Sequence, residues 1–203
     1  MVGLQRRGRH HADTSHAVLR LLAGFTVKPR RVLDLGAGNG ALCHELAAAG
    51  YEVVGVEPDA AGMEIASRRN AGARFYQLAV DDPPDAVLAD YPDGFDAVVS
   101  TEVIEHLYAP RQLAAFTHAV LHDQGHLVLT TPYHGYLKNL AIAVTNGWDH
   151  HADPLWDGGH IKLFSRRTIA RLLTEAGFRI VHFGGVGRLP YLWKSMTVVA
   201  AKQ

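Results

Sequence analysis

Cysteine is almost missing from this chain. Cys43 is the one thiol in 203 residues, so no intrachain disulfide can form and a reducing compartment, the cytoplasm, is the expected home. Net charge is missing as well, because 20 Lys and Arg face 20 Asp and Glu. Nothing global draws such a chain to nucleic acid or to an anionic membrane, so nucleic acid is not an expected partner. No apolar run is long enough to span a bilayer. The basic opening MVGLQRRGRHH has no apolar core behind it, which argues against a secretory leader. Internal repeats and low-complexity tracts are also absent.

What remains is an ordinary globular balance, 48% hydrophobic and 20% charged, at a length that suits one domain with a substantial core. Residues 1–12 read as a flexible arm and 13–203 as a single domain. DTSHAVLRLLAGF opens with cap-type residues and continues as a helix from Asp13. Beyond residue 31, strands (RRVLDL, YEVVGVEPD, RFYQLAV, FDAVVST, HLVLTTP) alternate with helices (ALCHELAAAG, AAGMEIASRRN, EVIEHLYAPRQLAAFTHAVL), the last interrupted near Pro110. DDPPDAVLADYPDG reads as a polar connection. SRRTIARLLTEAGF is a late amphipathic helix, and FRIVHFGG and KSMTVVAAKQ are two closing strands. The alternation predicts an α/β doubly wound, mostly parallel sheet with right-handed crossovers.

Residues 133–160 break the alternation and are too long for an ordinary loop, so they read as an inserted cap or substrate-binding element after the fifth strand. Leu137, Leu140, Ala141 and Val144 stand at helical spacing, which predicts a helix packed on the core. Its apolar face could equally cover substrate, meet a second subunit or touch a membrane surface, and composition leaves the oligomeric state open. Ligands of open α/β sheets bind beyond the carboxyl ends of the strands. Tyr133, His134, Trp148, Trp156 and His160 are therefore candidates to line a substrate pocket. His150 and His151 read as solvated loop residues.

In DLGAGNG, three glycines follow a strand and open a helix. Gly36, Gly38 and Gly40 let the backbone turn tightly and approach a ligand closely. Glu57 ends the second strand, 17 residues after Gly40, where a carboxylate can accept both hydroxyls of a ribose. Together they point to a nucleoside cofactor. The G-x-G-x-G spacing departs from the dinucleotide fingerprint G-x-G-x-x-G and argues against a nicotinamide-dependent oxidoreductase.

VLDLGAGNG, VVGVEPD and FDAVVSTEVIEHL resemble the successive cofactor motifs of class I S-adenosylmethionine-dependent methyltransferases, over roughly residues 13–203. The resemblance implies a Rossmann-like, seven-stranded sheet in which the last hairpin makes one strand antiparallel. It implies that Asp34, Gly36, Ala37, Gly38, Asn39 and Gly40 line the methionine part of the cofactor and that Glu57 and Pro58 hold its ribose. Val80 and Asp81 would flank the adenine, and Ser100 and Thr101 would lie under the sulfonium end. His16 would close over the cofactor.

EVIEHL also resembles the E-x-x-E-H signature of two groups: the O-methyltransferases of ubiquinone biosynthesis, and the enzymes that methylate the 3′-terminal ribose of small RNAs. In the RNA group the signature binds a divalent metal with a further histidine after the fifth strand, a place that His160 of GGHIKLFSRRT occupies here. The residue types agree with this. Glu102, Glu105 and His106 at i, i+3 and i+4 would share one helix face, where the two carboxylates repel unless a cation such as Mg²⁺, Mn²⁺ or Fe²⁺ joins them. Such a cation lowers the pKa of a bound hydroxyl. Two other readings stay open: His106 as a metal-free base, and a structural role. The expected activity is methyl transfer to a small-molecule hydroxyl, as in a catechol or vicinal diol, with Glu102, Glu105, His106 and His160 as the reacting wall. The alternatives are metal-free N-methylation and a non-catalytic cofactor-binding regulatory module.

Overall fold

The computed structural model describes residues 2–151, 153, 155–187 and 189–203, with residues 2–12 and His150 described by backbone alone. The elements are α1 (Val2–Ala23), β1 (Arg31–Leu35), α2 (Ala41–Ala48), β2 (Glu52–Val56), α3 (Ala60–Arg69), β3 (Arg74–Tyr76), α4 (Asp85–Asp90) and β4 (Phe95–Thr101). A 3₁₀ turn (Ile104–His106) follows, then α5 (Pro110–Val120), β5 (Leu121–Pro132), α6 (Tyr136–Val144), α7 (Trp148–His151), α8 (Arg166–Glu175), β6 (Phe178–Val186) and β7 (Ser195–Lys202).

The seven strands form one sheet in the order β3-β2-β1-β4-β5-β7-β6. β1 pairs in parallel with β2 and β4, and β4 with β5, while β7 runs antiparallel to both β5 and β6. This is the doubly wound, mostly parallel sheet that the sequence predicts, closed by the expected hairpin. The inner strands are apolar on both faces because helices cover both. On β1, Val32 joins Val53, Val99 and Val128 beneath Val18 and Leu22 of α1 and Leu42 and Leu46 of α2. Its neighbour Leu33 joins Val54, Val98, Leu127 and Leu129 beneath Leu113 of α5 and Ile169 and Leu173 of α8. The period of two along each strand thus divides the core into two layers. Chain order reverses between β1 and β4, and a doubly wound sheet opens its crevice at such a point, beyond the carboxyl ends of the strands.

Four readings need correction. The helix expected from Asp13 starts at Val2; the side chains of residues 2–12 lie outside the described residues. The polar connection contains α4, which starts after Pro84 and buries Val87 against the sheet. TEVIEHL is not a regular helix: Glu102 takes a left-handed φ of 55°, and the turn after it is a single 3₁₀ turn. The apolar face of α6 does not pack on the core, because Leu137, Leu140 and Val144 are exposed and Ile142 is the residue the helix buries. No helix among the described residues is long and apolar enough to cross a membrane.

Candidate active site

The loop after β1 is tied to β2 by its own backbone: the amides of Gly36 and Ala37 both donate to the Val56 carbonyl, at 2.9 and 3.0 Å. This brings Glu57, which follows β2, under the loop. One Glu57 oxygen accepts the Gly38 amide at 2.7 Å and the other accepts the Asp59 amide at 3.0 Å. Asp59 in turn caps α3 by accepting the Gly62 amide at 2.7 Å. Asn39 Oδ1 accepts the Ala41 amide at 3.2 Å and an Arg69 N–H at 3.1 Å, while the Pro58 carbonyl accepts from Gln77 at 3.4 Å. A Cβ on Gly36 would lie 2.4 Å from Val103 and one on Gly40 2.6 Å from Asn70, whereas one on Gly38 would meet nothing within 4 Å. Gly38, at φ 53°, therefore faces open space in front of the loop. That is the fit expected of a backbone cradle for a cofactor.

Asp34 is the penultimate residue of β1, only 1% exposed. Its Oδ2 accepts the Cys43 thiol at 3.2 Å, and its Oδ1 has no hydrogen-bond partner. Burial pushes this carboxyl up to about 7; the Cys43 hydrogen bond opposes the rise and the Glu57 charge adds to it. Ser100, near the tip of β4, donates to the Leu35 carbonyl at 2.9 Å and so closes the β1–β4 crevice from below. Thr101 is the last residue of β4. Val80 and Asp81 lie in the turn after β3, which the Ala79 amide closes onto Asp82 at 2.8 Å. His16 is exposed on α1 and lines a groove with Asp13, Arg20 and His182, a cavity of about 910 Å³.

On the other side of β4, Glu102 is held at both oxygens: Thr130 donates at 2.8 Å and Ser195 at 3.1 Å. Glu105 is wholly buried. Its Oε2 accepts from Thr131 at 2.9 Å and its Oε1 has no hydrogen-bond partner, with His160 Nε2 at 3.9 Å. Burial, with the negative charge of Glu102, holds the Glu105 carboxyl well above its usual range. The Glu105 backbone carbonyl accepts the amides of Ile161 at 2.9 Å and Lys162 at 3.0 Å, which anchors His160 beside it. His106 Nδ1 is 3.1 Å from the Gly159 carbonyl. A carbonyl can only accept, so Nδ1 carries the proton and Nε2 keeps its lone pair in the neutral ring.

Ligand atoms of Glu105, His106 and His160 lie within 4.8 Å of one another. The structure thus gathers three of the four residues read as metal ligands, while the Glu102 carboxylate engages Thr130 and Ser195. A buried carboxylate oxygen without a donor, next to two imidazoles, fits a divalent cation. Trp156 packs edge-on against this group, 6.0 Å from the His106 ring and 5.2 Å from the His160 ring. Trp148, 38% exposed on α7, lies outside this ring cluster. Tyr133 is buried against Trp193 at 5.3 Å. His134 is buried and held down to about 4 by that burial, then by the Lys138 charge, so it is neutral near pH 7. His151 is not a free loop residue: it ends α7 with Nδ1 3.0 Å from the Gly147 carbonyl. The His150 side chain lies outside the described residues. Sequence reasoning missed Thr130, Thr131 and Ser195, since hydroxyl donors carry no spacing signal of their own.

Residues 6–183 match a family described as a methyltransferase domain. A ubiquinone biosynthesis O-methyltransferase of Burkholderia pseudomallei (strain 1710b) is 28% identical over 165 residues, which is 79% of this chain and 69% of that protein. The magnesium protoporphyrin IX methyltransferase of Synechocystis PCC 6803, solved with bound SAH, superposes with a TM-score of 0.70 at 18% identity, over 95% of this chain and 84% of that one. The methyltransferase domain of a bacterial Hen1, CtHen1-CN, gives 0.69 at 18% identity, over 94% of this chain and 98% of that one. Both structural likenesses concern the fold.

Proposed function

The chain belongs to the methyltransferase-domain family and is an S-adenosylmethionine-dependent methyltransferase; on that premise we propose that it methylates a small-molecule hydroxyl, in a catechol or vicinal diol chelated by a divalent cation. The observation that carries this reading is the buried Oε1 of Glu105, which has no hydrogen-bond donor and sits beside His106 and His160. Those three residues would hold Mg²⁺, Mn²⁺ or Fe²⁺, with Glu102 adding charge from the next position along the wall. The relatives' naming as O-methyltransferases supports oxygen as the acceptor.

A bound cation supplies a lowered pKa for the substrate hydroxyl. The chain's own residues do the rest. Asp34, the Gly36–Gly40 loop and Glu57 hold the cofactor, and Ser100 and Thr101 end β4 at the crevice. Residues 133–160 serve as the cap that carries Trp156 and His160 to the wall and keeps water out. With the cofactor bound, the substrate hydroxyl would give up its proton to solvent, and its oxygen lone pair would form the bond to the sulfonium methyl as the S–CH₃ electrons return to sulfur. Positioning and desolvation supply most of the acceleration, because the sulfonium is already a strong electrophile.

One observation favours a second reading. With Nδ1–H fixed on the Gly159 carbonyl, His106 Nε2 can take a substrate proton without metal. That site would suit an amine as well as a phenol. Metal analysis of the purified protein, with calorimetric binding of S-adenosylhomocysteine (SAH) and turnover across phenols, catechols and amines, separates the two. The cation reading expects about one Mn²⁺ or Fe²⁺ per chain after reconstitution, lost in Glu105→Gln and His106→Ala while SAH still binds. Catechol turnover in those variants falls on the order of 10²- to 10⁴-fold. Full turnover in stringently metal-free protein overturns the cation reading, and SAH binding without turnover of any acceptor returns the binding-module alternative.

A further inference from the structure

The group formed by Glu105, His106 and His160 does not end at its two imidazoles. One segment leads from His106 into α5 and another from His160 into α8. The Glu105 carbonyl ties them together through the Ile161 and Lys162 amides, at 2.9 and 3.0 Å, and the two histidine rings lie 5.1 Å apart. Tyr108 follows His106 by two residues and Lys162 follows His160 by two, so each Cα lies within about 7 Å of the histidine Cα before it. Beyond the rings both segments border one cavity of about 490 Å³, lined by Tyr108, Arg111, Lys162, Phe164 and Thr168 among others.

The charge in this cavity is of one sign. Lys162 and Arg111 line it and no carboxylate does. Lys162 is half-buried, and its ammonium has no hydrogen-bond or ion-pair partner among the described residues. Arg111 meets Glu175 at 2.5 Å, which offsets part of its charge. α5 opens here at Pro110, and Ala109 before it supplies no side-chain acceptor, so the positive end of the helix is uncovered. The start of α8, by contrast, is closed by its own Ser165–Thr168 capping box. In a chain with no net charge, a concave positive site next to the proposed reacting wall is fitted to an oxyanion on the ligand.

We propose that this cavity binds an acidic group of the acceptor, a carboxylate or a phosphate, with Lys162 as its main contact and Arg111 as the second. The acceptor is then an acidic catechol or diol. The inference rests on reading Glu105, His106 and His160 as the place where the acceptor hydroxyls sit, and it specifies the end of the acceptor away from the reacting oxygen.

Calorimetric binding to the SAH-saturated protein near neutral pH tests it with two matched pairs: 3,4-dihydroxybenzoate against 3,4-dihydroxybenzamide, and adenosine 5′-monophosphate against adenosine. Each pair shares its diol, so whatever the wall contributes cancels in the ratio. The wild type prefers the acidic member of at least one pair by about tenfold or more, the size of a charge-assisted hydrogen bond, and the pair that shows it tells carboxylate from phosphate. In Lys162→Gln the preference falls to within about twofold while the neutral member binds as before, and Lys162→Arg keeps it. Arg111→Gln lowers it by only about two- to threefold, because Glu175 already engages that side chain. Raising the salt from about 0.05 M to about 0.5 M narrows the wild-type preference. Equal binding within both pairs, an undiminished preference in Lys162→Gln, or failure of all four compounds to bind overturns the inference. Preferential binding of an acid that receives no methyl group from S-adenosylmethionine leaves the cavity assigned and overturns the hydroxyl-acceptor reading instead.

Discussion

Gly38→Ala separates the loop glycine that faces open space from the two packing glycines beside it. Gly36, Gly38 and Gly40 all hold left-handed backbone, at φ 86°, 53° and 72°. Alanine at any of them costs about 1–2 kcal/mol for that conformation alone. At Gly36 the new Cβ must also displace Val103 from 2.4 Å, and at Gly40 it meets Asn70 at 2.6 Å and the backbone of Ala66 at 2.8 Å. Overpacking of that kind adds about 1–3 kcal/mol. Gly36→Ala and Gly40→Ala are therefore expected to lose about 2–5 kcal/mol in urea unfolding of the cofactor-free protein, against about 1–2 kcal/mol for Gly38→Ala. Binding reverses the order of interest. The Gly38 Cβ would enter open space in front of the loop, so Gly38→Ala loses at least about tenfold in SAH affinity while staying folded. Wild-type SAH affinity in Gly38→Ala would refute the assignment of that space to the cofactor. Unfolding of Gly36→Ala at the wild-type midpoint would refute the packing argument.

Two further substitutions probe the frame around the site. Glu57→Gln keeps the shape but turns one acceptor into a donor, which faces a backbone amide either at Gly38 or at Asp59. It is expected to cost about 2–3 kcal/mol of stability in urea unfolding and to weaken SAH binding at least about tenfold; a stability change below about 0.5 kcal/mol would contradict it. Asp96 Oδ2 accepts the amides of Arg30 and Arg31, both at 2.7 Å, and its Oδ1 meets His122 at 2.9 Å. Burial alone would raise the Asp96 carboxyl, yet the Arg31 amide, His122 and the Arg30 amide outweigh it and hold it below its usual range. Because the folded pKa lies below the unfolded one, this stability is present above about pH 4 and is lost as pH falls through the folded value. Asp96→Asn should therefore lose about 1 kcal/mol at pH 7, given partial exposure, with the gap closing in acid. A gap unchanged at pH 3 would show that the carboxylate charge plays no part.

The parts legible in the sequence are those whose signal is local. The run VLDL marks a strand buried on both faces, the glycines after it mark backbone that few other residues adopt, and Glu57 falls at the end of the next strand by register alone. The parts that were not legible depend on contacts between distant segments. Ser195 reaches Glu102 from 93 positions away, across the intervening strand β5, and a serine has no periodicity to betray it. The thiol of Cys43 reads as an apolar filler until α2 is docked over β1. The apolar spacing in α6 is genuine, but spacing cannot say which side of a helix meets protein, and here Leu137, Leu140 and Val144 face outward. TEVIEHL holds the right residues in the wrong local geometry for a helix, because the left-handed Glu102 turns the chain before any α-turn can form.

That turn explains why the glycine loop and the Glu105–His106–His160 group meet where they do. β4 is the strand shared by the two halves of the sheet, with β1 on one side and β5 on the other. At its tip, Ser100 bonds the Leu35 carbonyl of β1, on the glycine-loop side. Two residues later, the Glu102 amide donates to the Thr130 carbonyl of β5 at 3.1 Å, and the carboxylate engages Thr130 and Ser195. A residue with φ 55° is strained by about 1–2 kcal/mol unless its surroundings fix it, and these three bonds do so. The reversal swings Ile104–His106 back over the carboxyl ends of the strands and leaves Glu105 buried at 0% exposure facing His160. Straightening the backbone at Glu102 would carry Glu105 and His106 away from His160 while leaving the glycine loop intact. The strain therefore belongs to the proposed reacting wall, and the glycine-loop half would survive its release.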